Sequence, residues 1–281
     1  MTSVVPPVEV SRAEPWGHVG STCRAGRQVN WRDSGGKGPV ALLVMGLGAD
    51  STKWAAHVGD WSGRLRCIGV DNAGTGGTEP MRPLRTADMA DDCAAVLDAL
   101  ELERAAAVGV SMGGAIVQEL ALRHPGRLDG QVLVGTWAAA TPYMRMAFSH
   151  LRVLQASCSP DVFTRALQLF IWGNDWINSH APELDAELQD PGSPMAPANF
   201  GAQVDACLAH DTHSVLAQLQ IRTLVTHGTE DRLVPVVAAR SLSNGIAGSQ
   251  LVEFPGLAHA HHWEALDEFN RLVARWIGDL S

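Results

Sequence analysis

The sequence predicts an α/β fold in which helices cover both faces of a mainly parallel sheet. Continuous apolar runs such as residues 40–45 are typical of strands that are buried on both faces. Segments with helical periodicity alternate with these runs, and β–α repeats of this kind require crossover helices. The alternation stops between residues 138 and 217, where Met, Phe and Trp are frequent. This interruption predicts a helical cap inserted into the α/β fold.

The predicted elements begin with a hairpin at residues 17–33, with its turn near Ala25 and Gly26. Asp50 is a candidate N-cap for the first helix. One face of that helix is predicted to carry Trp54, Val58, Trp61 and Leu65. Further buried strands are predicted at residues 67–70, 105–108, 132–135, 221–226 and 250–254.

The other predicted helices follow these strands. A helix with Met89 and Leu97 on its apolar face follows the second buried strand, and a later helix stops at Pro125. Two more are predicted at residues 236–244 and, as one long C-terminal helix, from Trp263 to Trp276. Loops rich in glycine and proline are predicted at residues 71–83 and 182–197.

The chain length sets the domain organisation. A chain of 281 residues can form one large α/β domain with an inserted subdomain. We therefore assign residues 1–137 and 218–281 to the core domain and residues 138–217 to the cap. The content of 46% hydrophobic and 18% charged residues is typical of a globular protein with a large core.

Composition also excludes several classes of partner. The net charge of −9, without a basic stripe, argues against a nucleic-acid partner. No apolar stretch approaches the roughly 20 residues of a membrane span, and residues 1–15 do not read as a signal peptide. The cysteines are scattered and odd in number, which predicts buried, reduced thiols in a cytoplasmic protein; they are Cys23, Cys67, Cys93, Cys158 and Cys207.

The motif that indicates chemistry is Gly109-Val110-Ser111-Met112-Gly113, which lies between a predicted strand and a predicted helix. This G-x-S-x-G pattern is typical of a nucleophile elbow, where a tight turn presents a serine hydroxyl above the sheet. The small neighbours let strand and helix approach each other. The alternative is an ordinary glycine-rich turn, so the assignment of Ser111 as nucleophile depends on its partners.

A serine nucleophile needs a base and an acid, and in open α/β sheets such groups collect after the carboxyl ends of strands. The loop after strand 221–226 contains Asp231, and the loop after strand 250–254 contains His259. The chain order of serine, acid and histidine is the order of an α/β-hydrolase triad. We therefore predict Ser111, Asp231 and His259 as the catalytic residues.

These motifs resemble the α/β-hydrolase superfamily over residues 17–278. The sequence is most similar to cap-bearing members of the 3-oxoadipate enol-lactonase, small esterase and cofactor-free haloperoxidase type. Their elbow commonly has the G-x-S-M-G-G pattern of residues 109–114. Their acid loop commonly has the G-x-x-D-x-x-x-P pattern, matched here by Gly228, Asp231 and Pro235, and their histidine loop is matched by His259 with Glu264 in the next turn.

Two positions depart from the family pattern. Ala73 stands where the family loop after the second buried strand often has an arginine that pins the loop. Met45 stands where the loop after strand 40–45 often begins with histidine. Without that arginine the order of the loop after residue 70 is left open. An oxyanion hole uses backbone N–H groups, so its role survives the change at Met45. We assign the two donors to Leu47 and Met112.

Several residues compete with these assignments. Glu230 adjoins Asp231, but the spacing to Pro235 favours Asp231. His261 and His262 lie beside His259, and the cluster also suggests a metal site, but no second ligand cluster accompanies it. We predict no metal and no cofactor, and we interpret these two histidines as pocket-lining or helix-start residues. His227 is predicted to be structural, and two further histidines, His210 and His213, to lie at the surface or within the cap.

Aromatic residues in or beside the predicted cap suggest an apolar substrate cavity above the elbow. The candidate substrate-binding residues are Trp137, Trp172, Trp176 and Phe170. Each of them has the alternative of simply forming the core of the cap.

These observations predict a serine hydrolase that cleaves a carboxylic ester or lactone of a small, largely apolar molecule through an acyl-enzyme. Serine at the elbow argues against the aspartate-dependent epoxide hydrolases and haloalkane dehalogenases. The alternatives are a thioesterase or C–C bond hydrolase with the same triad, or a small-molecule receptor with little turnover. The oligomeric state is not predicted.

Overall fold

The computed structural model describes residues 15–189 and 195–280, and its centre is one eight-stranded sheet. The strands are β1 (His18–Arg24), β2 (Arg27–Asp33), β3 (Val40–Val44), β4 (Arg66–Val70), β5 (Ala105–Val110), β6 (Leu128–Val134), β7 (Thr223–Gly228) and β8 (Gln250–Phe254). Their order across the sheet is β1-β2-β4-β3-β5-β6-β7-β8. The β1–β2 and β2–β4 pairs are antiparallel and the others are parallel, which confirms the predicted α/β class.

Eleven α-helices connect or follow these strands in the described ranges. They are α1 (Ala55–Trp61), α2 (Thr86–Ala99), α3 (Met112–Arg123), α4 (Pro142–Ser157), α5 (Pro160–Ile171), α6 (Asn174–Ser179), α7 (Ala181–Gln189), α8 (Pro197–Ala209), α9 (Val237–Gly245), α10 (His261–Glu264) and α11 (Leu266–Gly278). Helices α4 to α8 and a 3₁₀ turn at His213–Gln218 lie between β6 and β7 in sequence; we call residues 138–217 the inserted segment.

The core has two halves because side chains along a strand alternate between the two faces of the sheet. In β3, Leu42 and Val44 belong to a buried cluster that also contains apolar side chains of α2, α3 and α9. Ala41 and Leu43 face the other way and belong to a second cluster, with apolar side chains of α1 and α11. Each face is therefore covered by helices, as continuous apolar strands require.

The N-terminal elements largely follow the sequence predictions. The β1–β2 hairpin turns at Ala25 and Gly26, and both residues have positive φ. Asp50 caps the 3₁₀ turn that precedes α1, because its carboxylate accepts a hydrogen bond from the Thr52 N–H at 2.9 Å. Leu65 was predicted on the first helix, but α1 ends at Trp61 and a turn with Gly63 at φ +77° follows.

Three later boundaries correct the predictions. The segment 182–197 was predicted as a loop, but α7 spans Ala181–Gln189, since Pro182 lies in a first turn where N–H groups have no intrahelical partner. Residues 190–194 lie outside the described residues. Strand β7 begins and ends two residues later than predicted and includes His227. The long C-terminal helix is divided at Ala265 into α10 and α11.

All five cysteines are free, but only three of them are buried as predicted. Cys67, Cys93 and Cys207 are buried, whereas Cys23 is exposed on the edge strand β1 and Cys158 is half-buried. Within residues 15–189 and 195–280, no helix combines the length and the apolar character needed to cross a membrane.

Candidate active site

Ser111 lies at the junction between β5, which ends at Val110, and α3, which begins at Met112. Its backbone has φ +55° and ψ −116°. A residue with a side chain rarely adopts positive φ, because this conformation costs of order 1–3 kcal/mol and persists only where the surroundings enforce it. The surroundings here do so: the Ser111 N–H donates to Val134 O at 2.8 Å and Thr136 Oγ1 donates to Ser111 O at 2.7 Å.

Two glycines allow this turn because their neighbours leave no room for a side chain. A Cβ atom on Gly109 would lie 2.3 Å from Gly113 O. A Cβ atom on Gly113 would lie 2.1 Å from Val44 O, which is backbone and cannot move aside. The glycines of the motif are therefore required by the close contact of α3 with β5 and β3.

We expect Gly113→Ala to destabilise the protein by about 1–3 kcal/mol, because the added methyl group must push α3 away from β3. Thermal unfolding followed by circular dichroism measures this. Gly278→Ala is the matched control, since a Cβ atom there meets nothing within 4 Å. We expect that control to change stability by less than about 0.5 kcal/mol. Equal effects of the two substitutions would contradict the steric explanation.

Asp231 and His259 are brought together by the loops after the neighbouring strands β7 and β8. His259 Nδ1 lies 2.7 Å from Asp231 Oδ2. The other oxygen, Oδ1, accepts hydrogen bonds from the N–H groups of Leu233 and Val234 at 2.9 and 2.8 Å. These two bonds fix the carboxylate so that Oδ2 faces the imidazole.

A second histidine also contacts the carboxylate. His227 Nε2 lies 3.1 Å from Asp231 Oδ2 and 2.7 Å from Val234 O. A carbonyl oxygen can only accept, so Nε2 of His227 carries the proton and donates to both. Burial alone would raise the pKa of Asp231, but attraction to His259 and hydrogen bonds from His227 and His259 hold that pKa well below its usual range. The acid is therefore ionised at neutral pH.

The histidine ring lies close to the backbone that supports Ser111. A Cβ atom on Gly135 would be 3.5 Å from His259 Nδ1 and Cε1. Gly135 lies between Val134 and Thr136, the two residues that hydrogen-bond to the Ser111 backbone. Serine, histidine and acid thus follow β5, β8 and β7 at one edge of the sheet.

The two predicted oxyanion donors border the same point. Met112 is the first residue of α3, where N–H groups have no intrahelical acceptor and the helix dipole favours negative charge. Leu47 follows Gly46, whose added Cβ would lie 3.2 Å from Ser111 Cβ. The backbone after β3 therefore passes directly over the serine. Ser111 is only 4% exposed, so little of this residue is open to solvent.

The competing residues are placed elsewhere. Glu230 is exposed, whereas Asp231 is buried against His259. His261 begins α10, and its Nε2 atom lies 3.0 Å from Thr226 Oγ1. The ring of His262 stacks on that of His57, with 5.6 Å between the ring centroids. Both are buried core residues at a helix start. Within the described ranges, no group of three or more His, Cys, Asp or Glu side chains is arranged to hold a metal ion.

The two histidines of the inserted segment, His210 and His213, differ from each other. His213 is exposed, which agrees with the predicted surface position. His210 is buried, so the surface alternative is wrong for it. Its Nδ1 lies 3.1 Å from Thr86 Oγ1, and its ring packs edge-on against Trp137. Burial lowers the pKa of His210 to about 4.

The predicted substrate-binding aromatics form two groups. Trp137 is fully buried and packs on Phe148 at 5.2 Å between ring centroids. Trp172 and Trp176 stack on each other at 5.2 Å at the α5–α6 junction. Phe170 is partly buried against the core half that contains α2 and α3. These contacts are those of packing residues, and their role toward a substrate stays a prediction.

Sequence reasoning did not identify how the inserted segment contacts the loops that carry Asp231 and His259. The N–H of Ala260, next to His259, donates to Ile171 O at 2.9 Å. The carboxylate of Glu264 accepts from the N–H of Gly173 at 2.8 Å and of Ala258 at 3.2 Å. Burial raises the pKa of Glu264. The only sequence signal was the position of Glu264 one turn after the histidine, because its partner in the inserted segment is 91 residues away.

Arg232 makes a similar connection from the acid loop. Its Nη1 donates to Leu169 O at 3.2 Å, and its backbone oxygen accepts from Tyr143 Oη at 2.5 Å. Helices α4 and α5 of the inserted segment are thus hydrogen-bonded to the residue that follows Asp231.

Comparisons with known proteins agree with this architecture. The family model described as serine aminopeptidase, S33, matches residues 40–265. A relative from Azorhizobium caulinodans named "Putative carbamate hydrolase RutD" is 30% identical over 252 residues, which cover 88% of this chain and 94% of that protein. The enol-lactonase of Burkholderia xenovorans LB400 superposes with a TM-score of 0.83 at 25% identity and covers 92% of this chain and 100% of its own.

A thermophilic esterase from Thermogutta terrifontis shares the fold at 22% identity, with a TM-score of 0.81 over 92% of this chain and 97% of that one. Sheet order, inserted helices and these matches define an α/β-hydrolase, the class that the motifs predicted. Within that class, the chain belongs to the serine aminopeptidase S33 family. It is therefore a hydrolase.

Proposed function

We propose that this protein is a serine hydrolase that cleaves a carboxylic ester or lactone of a small, largely apolar molecule. The observation that carries the proposal is the strained backbone of Ser111, at φ +55°, beside a buried Asp231–His259 pair. Strained backbone conformations of this kind are concentrated at functional sites, where the surrounding structure enforces them. The strained turn at Ser111 presents the serine hydroxyl to a base, His259, that is already oriented by an acid, Asp231.

The proposed mechanism follows from the hydrogen-bond directions. Asp231 accepts from His259 Nδ1, so the neutral imidazole has a free lone pair on Nε2. Nε2 takes the proton of Ser111 as Oγ attacks the carbonyl carbon, and the N–H groups of Leu47 and Met112 stabilise the oxyanion. His259 then protonates the leaving oxygen. Water attacks the acyl-enzyme by the same route and releases the acid.

The inserted segment is proposed to act as a cap. Its helices are hydrogen-bonded to both catalytic loops, and His259 and Ser111 are only 6% and 4% exposed. We propose that a substrate reaches Ser111 by a path between the cap and the core. We propose Trp137, Trp172, Trp176 and Phe170 as residues that border its path. The five free cysteines fit a reducing compartment such as the cytoplasm.

A carbamate is the second candidate substrate, because the relative from Azorhizobium caulinodans is named for carbamate hydrolysis. The same residues suit it, since a carbamate carbonyl also forms a tetrahedral intermediate with an oxyanion. Resonance from the carbamate nitrogen makes the carbonyl less electrophilic, so the ester of the same alcohol is the faster substrate of the two unless the cap recognises the nitrogen.

The experiment compares wild-type protein with Ser111→Ala on p-nitrophenyl acetate, p-nitrophenyl N-methylcarbamate and a γ-lactone. Ser111→Ala is expected to lower kcat by about 10³- to 10⁶-fold, since residual catalysis comes from binding and the oxyanion hole alone. Ser214→Ala, at an exposed position, is the matched control and should keep full activity. Undiminished turnover by Ser111→Ala would refute the proposal.

Labelling with a fluorophosphonate, followed by peptide mass spectrometry, separates an enzyme from a receptor. We expect the adduct on the peptide that contains Ser111, together with turnover of at least one of the three substrates. An adduct with tight ligand binding but turnover at the background rate would instead favour a small-molecule receptor.

A further inference from the structure

The backbone that carries the Leu47 N–H has no strand or helix to hold it. Residues 45–49 follow the end of β3, and their internal hydrogen bond, from Ala49 N to Gly46 O, is long at 3.3 Å. A preorganised donor must nevertheless be held in place, because oxyanion stabilisation depends on donors that do not move during the reaction. Side chains from other parts of the chain supply the missing support.

Two amide side chains hold the ends of this backbone. Asn72, which follows β4, donates from Nδ2 to Met45 O at 2.8 Å. Gln203 of α8 accepts from the Gly48 N–H at 2.8 Å. The two hydrogen bonds bracket Leu47 on both sides. One support comes from the core domain and the other from the inserted segment.

The second half of the Gln203 amide reaches the neighbouring loop. Its Nε2 donates to Ala73 O at 3.0 Å. An N–H can only donate and a carbonyl can only accept, so the two partners determine the orientation of the amide without ambiguity. Gln203 is fully buried, and both partners would lose their hydrogen bonds if the side chain left. The side chain thus joins the loop above Ser111 to the loop after β4.

Helix α8 is seated closely on both loops around this amide. A Cβ atom on Gly48 would lie 3.1 Å from the ring of Phe200. A Cβ atom on Gly74 would lie 3.0 Å from Asn199 Cβ. At both glycines the helix therefore lies close to the loop backbone. A displacement of α8 would remove Gln203 from Gly48 and Ala73 together.

We propose that Gln203 is a positioning residue for the oxyanion hole, which holds the Leu47 N–H over Ser111 through the Gly48 and Ala73 backbones. The inference rests on the proposed function, because the hole matters only if Ser111 attacks a carbonyl. It also gives the inserted segment a catalytic consequence. The hole is complete only while α8 is seated on the core, so the cap couples substrate enclosure to transition-state stabilisation.

The test substitutes Gln203→Leu, which keeps the approximate shape and removes both hydrogen bonds. A misplaced donor is expected to lower kcat for p-nitrophenyl acetate by about 10- to 100-fold, with KM changed by less than about 3-fold. Affinity for a boronic acid that forms a tetrahedral adduct with Ser111 should fall by a similar factor. Rates are expressed per serine that reacts with a fluorophosphonate, so that misfolded protein does not count.

Gln168→Leu is the matched control. Gln168 is also a buried glutamine of the inserted segment, and its Nε2 donates to Leu184 O at 3.0 Å, away from the catalytic loops. The control is expected to lose thermal stability but to keep kcat per reactive serine. A merely structural role of Gln203 predicts the same result for Gln203→Leu, and that outcome would overturn the proposal.

Gln203→Glu keeps the inference testable if the leucine variant does not fold. Its protonated carboxyl group can replace the amide, whereas its carboxylate loses the donor to Ala73 O. The ratio of variant to wild-type kcat should therefore fall as pH rises. A ratio independent of pH would overturn the proposal. If wild-type protein neither hydrolyses the ester nor reacts with the fluorophosphonate, the proposed function fails instead, so the two failures are distinguishable.

Discussion

Asp231→Asn is expected to lower kcat by about 10⁴-fold while the fold remains intact. The N–H groups of Leu233 and Val234 both point at one oxygen of this side chain. The amide oxygen of asparagine must therefore take that place, and its NH₂ group must face His259. Two donors cannot share a hydrogen bond, so His259 accepts at Nδ1 and carries its proton on Nε2. In that tautomer the imidazole cannot remove the proton of Ser111.

Glu230→Gln is the matched control for this substitution. It removes a carboxylate from the adjacent residue, which is exposed rather than buried against the histidine. We expect its kcat for p-nitrophenyl acetate to stay within about 2-fold of wild type, because exposed charges at a distance are screened. A loss below about 10-fold for Asp231→Asn, or an equal loss for Glu230→Gln, would contradict the assignment of the acid.

The protein is expected to unfold in mild acid because it buries neutral histidines. Burial lowers the pKa of His57 to about 4, that of His261 to about 3, and that of His262 well below the ordinary value. The unfolded chain binds these protons from about pH 6.5 downward while the folded protein does not. Stability is therefore complete above that pH and falls below it, by about 1.4 kcal/mol per pH unit for each histidine.

Buried carboxyl groups with a raised pKa act in the opposite direction. Burial raises the pKa of Asp71 to about 6, so the folded protein binds that proton before the unfolded chain does and gains stability between about pH 6 and 4. Burial also raises the pKa of Glu119 and of Glu264. With His210 included, four histidines are expected to outweigh these carboxyl groups. The expected net result is a loss of stability as the pH falls from about 6.5 toward 4. Urea unfolding at several pH values between 8 and 5 measures how the free energy of unfolding changes with pH.

His262→Phe tests this explanation at one position. Neither ring nitrogen of His262 has a hydrogen-bond partner, and the ring packs against His57, Trp54 and Phe269, so phenylalanine loses no polar contact. Below about pH 6.5, the free energy of unfolding of the variant is expected to fall less steeply than that of wild type, by about 1.4 kcal/mol per pH unit. His213→Phe, at an exposed position, should leave the slope unchanged. An identical acid slope in wild type and His262→Phe would show that this histidine is not the cause.

Local signals were sufficient where a residue and its structural role lie close together in the chain. Three features depend on neighbours within a few positions: the hairpin turn at Ala25-Gly26, the helix N-cap residue Asp50 and the turn at Ser111. The boundaries of helices were less well predicted where the same residue type is common both in loops and at the start of helices. Pro182 suggested a loop, yet a proline in the first turn of a helix loses no intrahelical hydrogen bond.

The sequence by itself determined the α/β class, the order of its strands along the chain, and the placement of Ser111, Asp231 and His259 after strands. These follow from periodicity and from spacing within single loops. The tertiary structure alone decided which distant side chains support them: His227 on the acid and Gln203 on the loop that carries Leu47. Gln203 and Gly48 are 155 residues apart, so no local pattern links them, and only the packing of α8 on the core brings them into hydrogen-bond contact.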